Sequence, residues 1–278
     1  MRFQPLSRLP ALLDPSEIAL KAAPSLLSVI VPAFNEEGSI CRCVEELSAA
    51  IRKAGCNAEI IVVNDGSTDR TLSAVTCMRT NSISLRVLSF SRNYGKATAL
   101  REGTKASKGT RIAFFDADLQ YDPADLIRAV SMLNDGSDVV TGLRDYRHYN
   151  QARTVVSKIY NRLLRLIFRL DVRDLNCGMK VLKQNAADPD FLFRYGVPLM
   201  IPLLRLRGFN ISEKAVSLRE RQGGESKFFT DGSFLGGWKN VKDISYHSVM
   251  LLGLLASLPS RWINKSLNPN RTQQLDIS

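Results

Sequence analysis

Residues 111–120 read Arg-Ile-Ala-Phe-Phe-Asp-Ala-Asp-Leu-Gln, an apolar run that ends abruptly in two carboxylates one residue apart, Asp116 and Asp118. Along a strand, side chains i and i+2 share a face, so both carboxylates can enter one cleft while Ile112 to Phe115 stay buried behind them. Hard oxygen ligands at a strand end suit Mg²⁺ or Mn²⁺, which keep positions open for phosphate oxygens and water.

The segments on either side repeat the same logic. Leu27 to Phe34, Glu59 to Asn64 and Leu85 to Ser89 read as strands, and Asp138 to Gly142 as a fifth. Between them, Glu37 to Ala54, Asp69 to about Thr80, Lys96 to Ser107 and Pro123 to Leu133, the last capped by Asp122, read as helices. Strands rich in β-branched residues and alternating with helices predict an α/β fold: a mostly parallel central sheet covered by helices on both faces. Ligands of such sheets sit at the carboxyl ends of the strands. Asn35-Glu36, Asp65-Gly66-Ser67, Arg92-Asn93 and Asp116 to Asp118 all follow strand ends, so the fold gathers them along one crevice.

Composition narrows the partners. With 278 residues, 45% of them hydrophobic, the chain suffices for one large domain, or one domain with an appendage, and is not disordered. The excess of 38 Lys and Arg over 27 Asp and Glu, a net charge of +11, favours an anionic partner: nucleic acid, an acidic membrane or phosphorylated substrates. No helix-turn-helix punctuation, zinc spacing or aromatic RNA-binding signature supports nucleic acid. Five cysteines without paired metal spacing read as buried or free thiols in a reducing compartment. Residues 1–26 read as a loosely attached extension without a signal peptide, and 264–278 as a disordered tail. Val249 to Leu258 is an apolar run of ten residues, about half of the ~20 needed to span a bilayer.

Four segments stand in order: Val31-Pro-Ala-Phe-Asn-Glu36, Val62-Val-Asn-Asp-Gly-Ser-Thr-Asp69, Arg92-Asn-Tyr-Gly-Lys96 and Phe115-Asp-Ala-Asp-Leu-Gln120. Together they resemble family 2 inverting glycosyltransferases of the GT-A fold, over roughly residues 27–230. Gly142-Leu-Arg144, Asp174-Leu-Asn-Cys-Gly-Met-Lys180 and Arg221-Gln-Gly-Gly-Glu-Ser-Lys227 resemble the polyprenyl-phosphate (dolichol-phosphate) sugar synthase branch. The resemblance implies transfer of a hexose from a UDP- or GDP-sugar to a polyprenyl phosphate. It implies that Pro32, Phe34, Glu36, Asp65, Ser67, Asp69, Lys96 and Asp116 bind the nucleotide sugar, with Asp65 accepting from the base. It assigns Mg²⁺ or Mn²⁺ to Asp116, Asp118 and Gln120, and catalysis to Asp116, Asp118 and Arg144. Arg144, Arg153, Ser157, Arg221, Ser226 and Lys227 are then the acceptor-phosphate residues, with Arg153 and Ser157 one helical turn apart.

A membrane is also readable from the pattern itself. Lys158, Arg162, Arg165 and Arg169 recur at helical spacing among Val155, Val156, Ile159, Tyr160, Leu163, Leu166, Ile167 and Leu170. Such a stripe suits a helix at an anionic bilayer surface, or equally a core-packed helix with a solvated charged edge. Residues 231–263 read as a membrane-associating segment. Many members of the branch carry two transmembrane helices after the catalytic domain, whereas this chain has one short apolar run. The expectation is therefore a peripheral enzyme at the cytoplasmic membrane face, with room for a small membrane partner. The alternative is transfer to a saccharide or glycolipid hydroxyl, as in cell-envelope polysaccharide synthesis. That reaction needs a base, for which Glu213 or Asp174 are the candidates.

Overall fold

The computed structural model describes residues 25–79, 83–145, 161–194 and 196–219. The apolar runs form the inner strands. In β1 (Leu27–Ala33) only Pro32 is not fully buried, and every residue of β2 (Ala58–Asn64) and β4 (Arg111–Phe114) is buried. With β3 (Ser84–Ser89), β5 (Val139–Arg144), β6 (Lys180–Lys183) and β7 (Ile211–Val216) they make one seven-stranded sheet in the order β3-β2-β1-β4-β6-β5-β7. β6 pairs antiparallel with both β4 and β5, and every other pairing is parallel. The expected mostly parallel sheet is present, while β6 and β7 were not legible as strands.

Helices cover both faces. On one side α1 (Ile40–Lys53), α2 (Thr71–Thr76) and α4 (Pro123–Met132) pack a core containing Val44, Leu47, Val62, Phe115 and Leu126. On the other, α3 (Lys96–Ala106), α5 (161–168), α6 (Pro189–Leu192) and α7 (Met200–Leu206) enclose Ile30, Ile61, Phe114, Phe168 and Leu203. Asp122 caps α4 as expected, its carboxylate accepting from Ala124 N at 2.8 Å ahead of Pro123 at the first helical position.

Two helices are shorter than their periodicity implies. α1 begins at Ile40, after a turn in which Ser39 N and Ile40 N bond Glu36 O at 3.1 and 2.9 Å, while the N–H groups of Glu36 and Glu37 go to Thr71 Oγ1, at 2.8 Å, and Asp69, at 3.1 Å. The loop after β1 is thus stitched sideways to the loop after β2. α2 correspondingly starts only at Thr71. β1 has β2 on one side and β4 on the other, so crossovers diverge there and open a crevice at their carboxyl ends. No described helix is long and apolar enough to cross a membrane. The 1–24 part of the extension, Val249 to Leu258 and the segments 231–263 and 264–278 lie outside the described residues.

Candidate active site

The floor of the crevice is a hydrogen-bonded seam between the first two loops. Asn35, in the left-handed region at φ 53°, accepts from Thr68 N at 2.8 Å, and its own N–H donates to Ser67 Oγ at 3.0 Å. Asp69 accepts from Glu37 N and, at 2.9 Å, from Thr71 N. Burial works against its charge, but these bonds and that from the Thr71 hydroxyl outweigh it and hold Asp69 below the usual carboxylate range. Ser67 and Asp69, expected at the nucleotide, therefore spend their side chains on the seam. Pro32, Phe34 and Glu36 sit half-buried at the same strand end, with Glu36 accepting from Ser39 Oγ at 2.8 Å.

Asp65, 3% exposed, holds the third loop: Oδ1 accepts from Tyr94 N at 2.7 Å and Oδ2 from Gly95 N at 2.8 Å. Gly66 makes this approach possible. At φ +66°, a Cβ there would lie 2.1 Å from the backbone carbon of Arg92. The consequence is the placement of Lys96, first residue of α3, whose Nζ stands 2.5 Å from Asp116 Oδ1.

Asp116 and Asp118 are both partly exposed at the end of β4, separated by buried Ala117. The turn is locked by Leu119 at φ 61°, a conformation bulky residues rarely adopt, and Asp118 Oδ1 accepts from Gln120 N at 3.3 Å. Burial and then the charges of Asp118 and Asp116 push up the Cys43 thiol, whose Sγ lies 3.8 Å from Asp116 O. On its other side, Asp116 abuts Gly178, where a Cβ would be 2.0 Å from Oδ2. Gly178 N in turn donates to the hydroxyl of buried Tyr121 at 3.0 Å. Among the described residues no three His, Cys, Asp or Glu side chains are grouped to hold a metal ion. Two carboxylates with Gln120 beside them nevertheless fit a hard divalent cation whose remaining positions go to substrate phosphates and water.

Arg144 closes the carboxyl end of β5. Its Nε and Nη2 grip the two oxygens of Asp174, at 2.7 and 3.0 Å, and Asp174 is fully buried. Burial opposes the guanidinium charge, but the Asp174 bonds outweigh it and raise the pKa above its ordinary value. Asp174 N donates to Glu213 at 2.7 Å, and Arg173 Nε to the same carboxylate at 3.1 Å. Both carboxylates considered as bases for a hydroxyl acceptor are thus bonded to arginine and backbone groups of the protein itself. Lys180, 1% exposed on β6, donates to Cys177 O, and burial lowers its pKa to about 8. Cys177 itself is packing, buried with its Sγ 2.4 Å from where a Cβ on Gly142 would stand.

On α5, Leu164 and Phe168 face the core, while Leu163 and Leu166 are 48% and 71% exposed beside exposed Arg162. The face turned outward is mixed basic and apolar, unlike a purely solvated charged edge. Arg153, Ser157, Lys158, Arg221, Ser226 and Lys227 lie outside the described residues. Sequence reasoning missed the roles of Gly178, Tyr121 and the Arg144–Asp174 pair. For Tyr121, directly after Gln120, the proximity to the Asp-x-Asp motif was the available signal.

Known proteins agree with this architecture. Residues 28–189 match the model of Glycosyl transferase family 2. An undecaprenyl-phosphate 4-deoxy-4-formamido-L-arabinose transferase of Pseudomonas paraeruginosa is 30% identical over 73% of this chain and 60% of its own length. A dodecaprenyl-phosphate galacturonate synthase of Rhizobium johnstonii is 32% identical over 75% of this chain and 63% of its own. The chain thus spans about three fifths of the length of these relatives. Among solved structures, glucosyl-3-phosphoglycerate synthase from Mycobacterium tuberculosis, in complex with Mn²⁺, uridine diphosphate and phosphoglyceric acid, superposes with a TM-score of 0.61 at 20% identity, covering 89% of this chain and 84% of that one. The sheet, its crevice and the matched residues together place the fold as GT-A, and the chain belongs to glycosyl transferase family 2.

Proposed function

We propose that this chain is the catalytic part of an inverting, metal-dependent hexosyltransferase that uses a UDP- or GDP-sugar and a polyprenyl phosphate acceptor at the cytoplasmic membrane face. The observation that carries it is the convergence of Asp116 and Asp118 with Lys96 at the switch-point crevice, in a chain whose two curated relatives above are named for polyprenyl-phosphate sugar chemistry. Pro32, Phe34, Glu36 and the walls built by Ser67 and Asp69 receive the nucleoside. Asp65 sets nucleotide choice, as a base-binding group or through the 94–96 loop it holds. Asp116 and Asp118, with Gln120 beside them, would hold Mg²⁺ or Mn²⁺, which supplies positive charge against the leaving diphosphate. Lys96 adds a further cation at the same oxygen atoms. A lipid phosphate is already ionised, so no protein base is required. That suits a site whose candidate bases, Asp174 and Glu213, are engaged elsewhere. Arg144, Arg153, Ser157, Arg221, Ser226 and Lys227 form the acceptor side, and α5 rests its outward face on lipid with a small membrane protein as partner.

The test is a panel of UDP- and GDP-sugars with Mn²⁺ or Mg²⁺ and a short polyprenyl phosphate, following glycosylated lipid by mass spectrometry in wild type and Asp118→Ala. Product from one donor, lost in the variant, is the expected result. Metal-dependent hydrolysis of a nucleotide sugar without lipid product would move the acceptor to a hydroxyl, and an unchanged rate in Asp118→Ala would overturn the metal site.

A further inference from the structure

A cavity of roughly 610 Å³ opens beside Arg144 and is bounded by α5 and the residues that follow it. Its wall leads to the reaction centre: Arg144 grips Asp174, and four residues further along the same segment Gly178 abuts Asp116. Four arginines line it, but they are not equivalent. Arg144 is committed to Asp174 and Arg173 to Glu213. Arg162 and Arg165 have no acidic partner among the described residues, and Arg165 donates only one long bond of 3.4 Å to Leu170 O. Asn161, 4% exposed, lines the same cavity, and its amide oxygen is buried without any hydrogen-bond partner. Buried polar atoms are ordinarily satisfied, so this one marks a place for a ligand hydrogen. Turning the amide over would offer N–H donors to an oxyanion instead.

Two unneutralised guanidinium groups and a buried amide select an anion with several oxygens, and a planar fork suits phosphate. The remaining wall is apolar. Leu143, Leu166 and Leu170 line the cavity, and Leu166 continues it onto the exposed Leu163 face of α5. Inorganic phosphate has no use for such a wall, and a plain bilayer surface has none for an enclosed amide. Resting on the acceptor chemistry proposed above, we infer that this cavity seats the phosphate of the isoprenoid acceptor, gripped by Arg162 and Arg165 beside Asn161, with the chain leaving over Leu166. Arg144, on the acceptor side as proposed above, shares this cavity and is held in its wall by Asp174.

Direct binding separates this inference from the transfer reaction. Farnesyl phosphate, farnesol and inorganic phosphate are titrated by calorimetry into wild type, Arg162→Gln, Arg165→Gln and the double variant, with Arg169→Gln, in the turn directly after the same helix, as the charge-matched comparison. Flotation with phosphatidylglycerol vesicles runs alongside. Farnesyl phosphate affinity is expected to fall at least tenfold in the double variant and less than threefold in Arg169→Gln. Farnesol and inorganic phosphate should bind at least tenfold more weakly than farnesyl phosphate to wild type. Unchanged farnesyl phosphate affinity in the double variant overturns the inference, even where lipid transfer persists. Loss of vesicle flotation alone does so too, reassigning the arginines to bilayer docking. Binding that depends on the arginines in a protein that transfers no sugar to any polyprenyl phosphate would sustain the cavity and sink the proposed reaction.

Discussion

Gly178→Ala tests the reaction centre without substituting a charged group. The new Cβ would lie 2.0 Å from Asp116 Oδ2 and 2.7 Å from its Cγ, whereas ordinary contact begins near 3.4 Å. The carboxylate must therefore retreat by 3.4 − 2.0, about 1.4 Å. It has little freedom to do so in place, because Phe115 N is bonded to Ile30 O at 3.1 Å and Lys96 holds Oδ1. The backbone at 178 is not left-handed, so alanine brings no conformational strain of its own. A displacement of about 1 Å in a positioned group reduces turnover on the order of 100-fold. The expected result is a fall in kcat of that size or more, weaker Mn²⁺-dependent nucleotide binding, and a melting temperature within a few degrees of wild type. Because Asp116 is partly exposed, it can swing outward at small structural cost. Turnover within threefold of wild type in a folded Gly178→Ala protein would refute the placement of Asp116 at the reacting diphosphate.

Other perturbations probe the supporting structure. Lys180 has a folded pKa of about 8 against 10.5 for an ordinary lysine. The unfolded chain therefore binds more protons between those values, so this group's contribution to stability is complete above 10.5 and lost as pH falls through about 8. Lys180→Met should be at least as stable as wild type at pH 7. The stability difference between the two proteins should shift by roughly 3 kcal/mol between pH 7 and 11 in urea titrations; parallel curves would exclude a depressed lysine. Asp174→Ala leaves the Arg144 guanidinium buried without its partner and should lower stability by about 3–5 kcal/mol. If activity vanished with no change in melting, Asp174 would be a catalytic group after all. Gly142→Ala should destabilise by about 1–3 kcal/mol through overlap with Cys177 Sγ, and adding Cys177→Ala should restore part of that loss; strict additivity would deny the contact.

The sequence was most readable where local pattern and burial coincide. β1, β2 and β4 are short aliphatic runs enclosed on both faces, so composition alone marks them. β6 offers just Val181 and Leu182 between two lysines, and the ladder that makes it a strand comes from residues 111–114 and 139–141, distant in sequence. β7, Ile211-Ser-Glu-Lys-Ala-Val216, carries polar residues at its centre because it is an edge strand. The acidic pair at 116 and 118 was legible because spacing two on a strand is a local property. The commitment of Arg144 to Asp174 was not, since thirty residues separate them and nothing near either announces the pairing. Lys180 shows the same limit. A lysine in sequence implies a solvated end, and only the neighbouring strands bury it.

The single reversed strand has a further consequence for biogenesis. β4 does not pair with β5; β6 is wedged between them, so among the described strands it alone joins the first four to the last two. During synthesis the chain up to residue 144 contains β1 to β5 but nothing to seal the flank of β4, and that flank stays open until residues 180–183 emerge. The segment that closes it also carries Gly178 against Asp116, so assembly of the sheet and completion of the reaction centre are one event. Ribosome-bound chains ending before residue 180 should therefore engage chaperones and bind no nucleotide, and both properties should reverse together once β6 has left the exit tunnel. Nucleotide binding by the shorter chains would uncouple the two events.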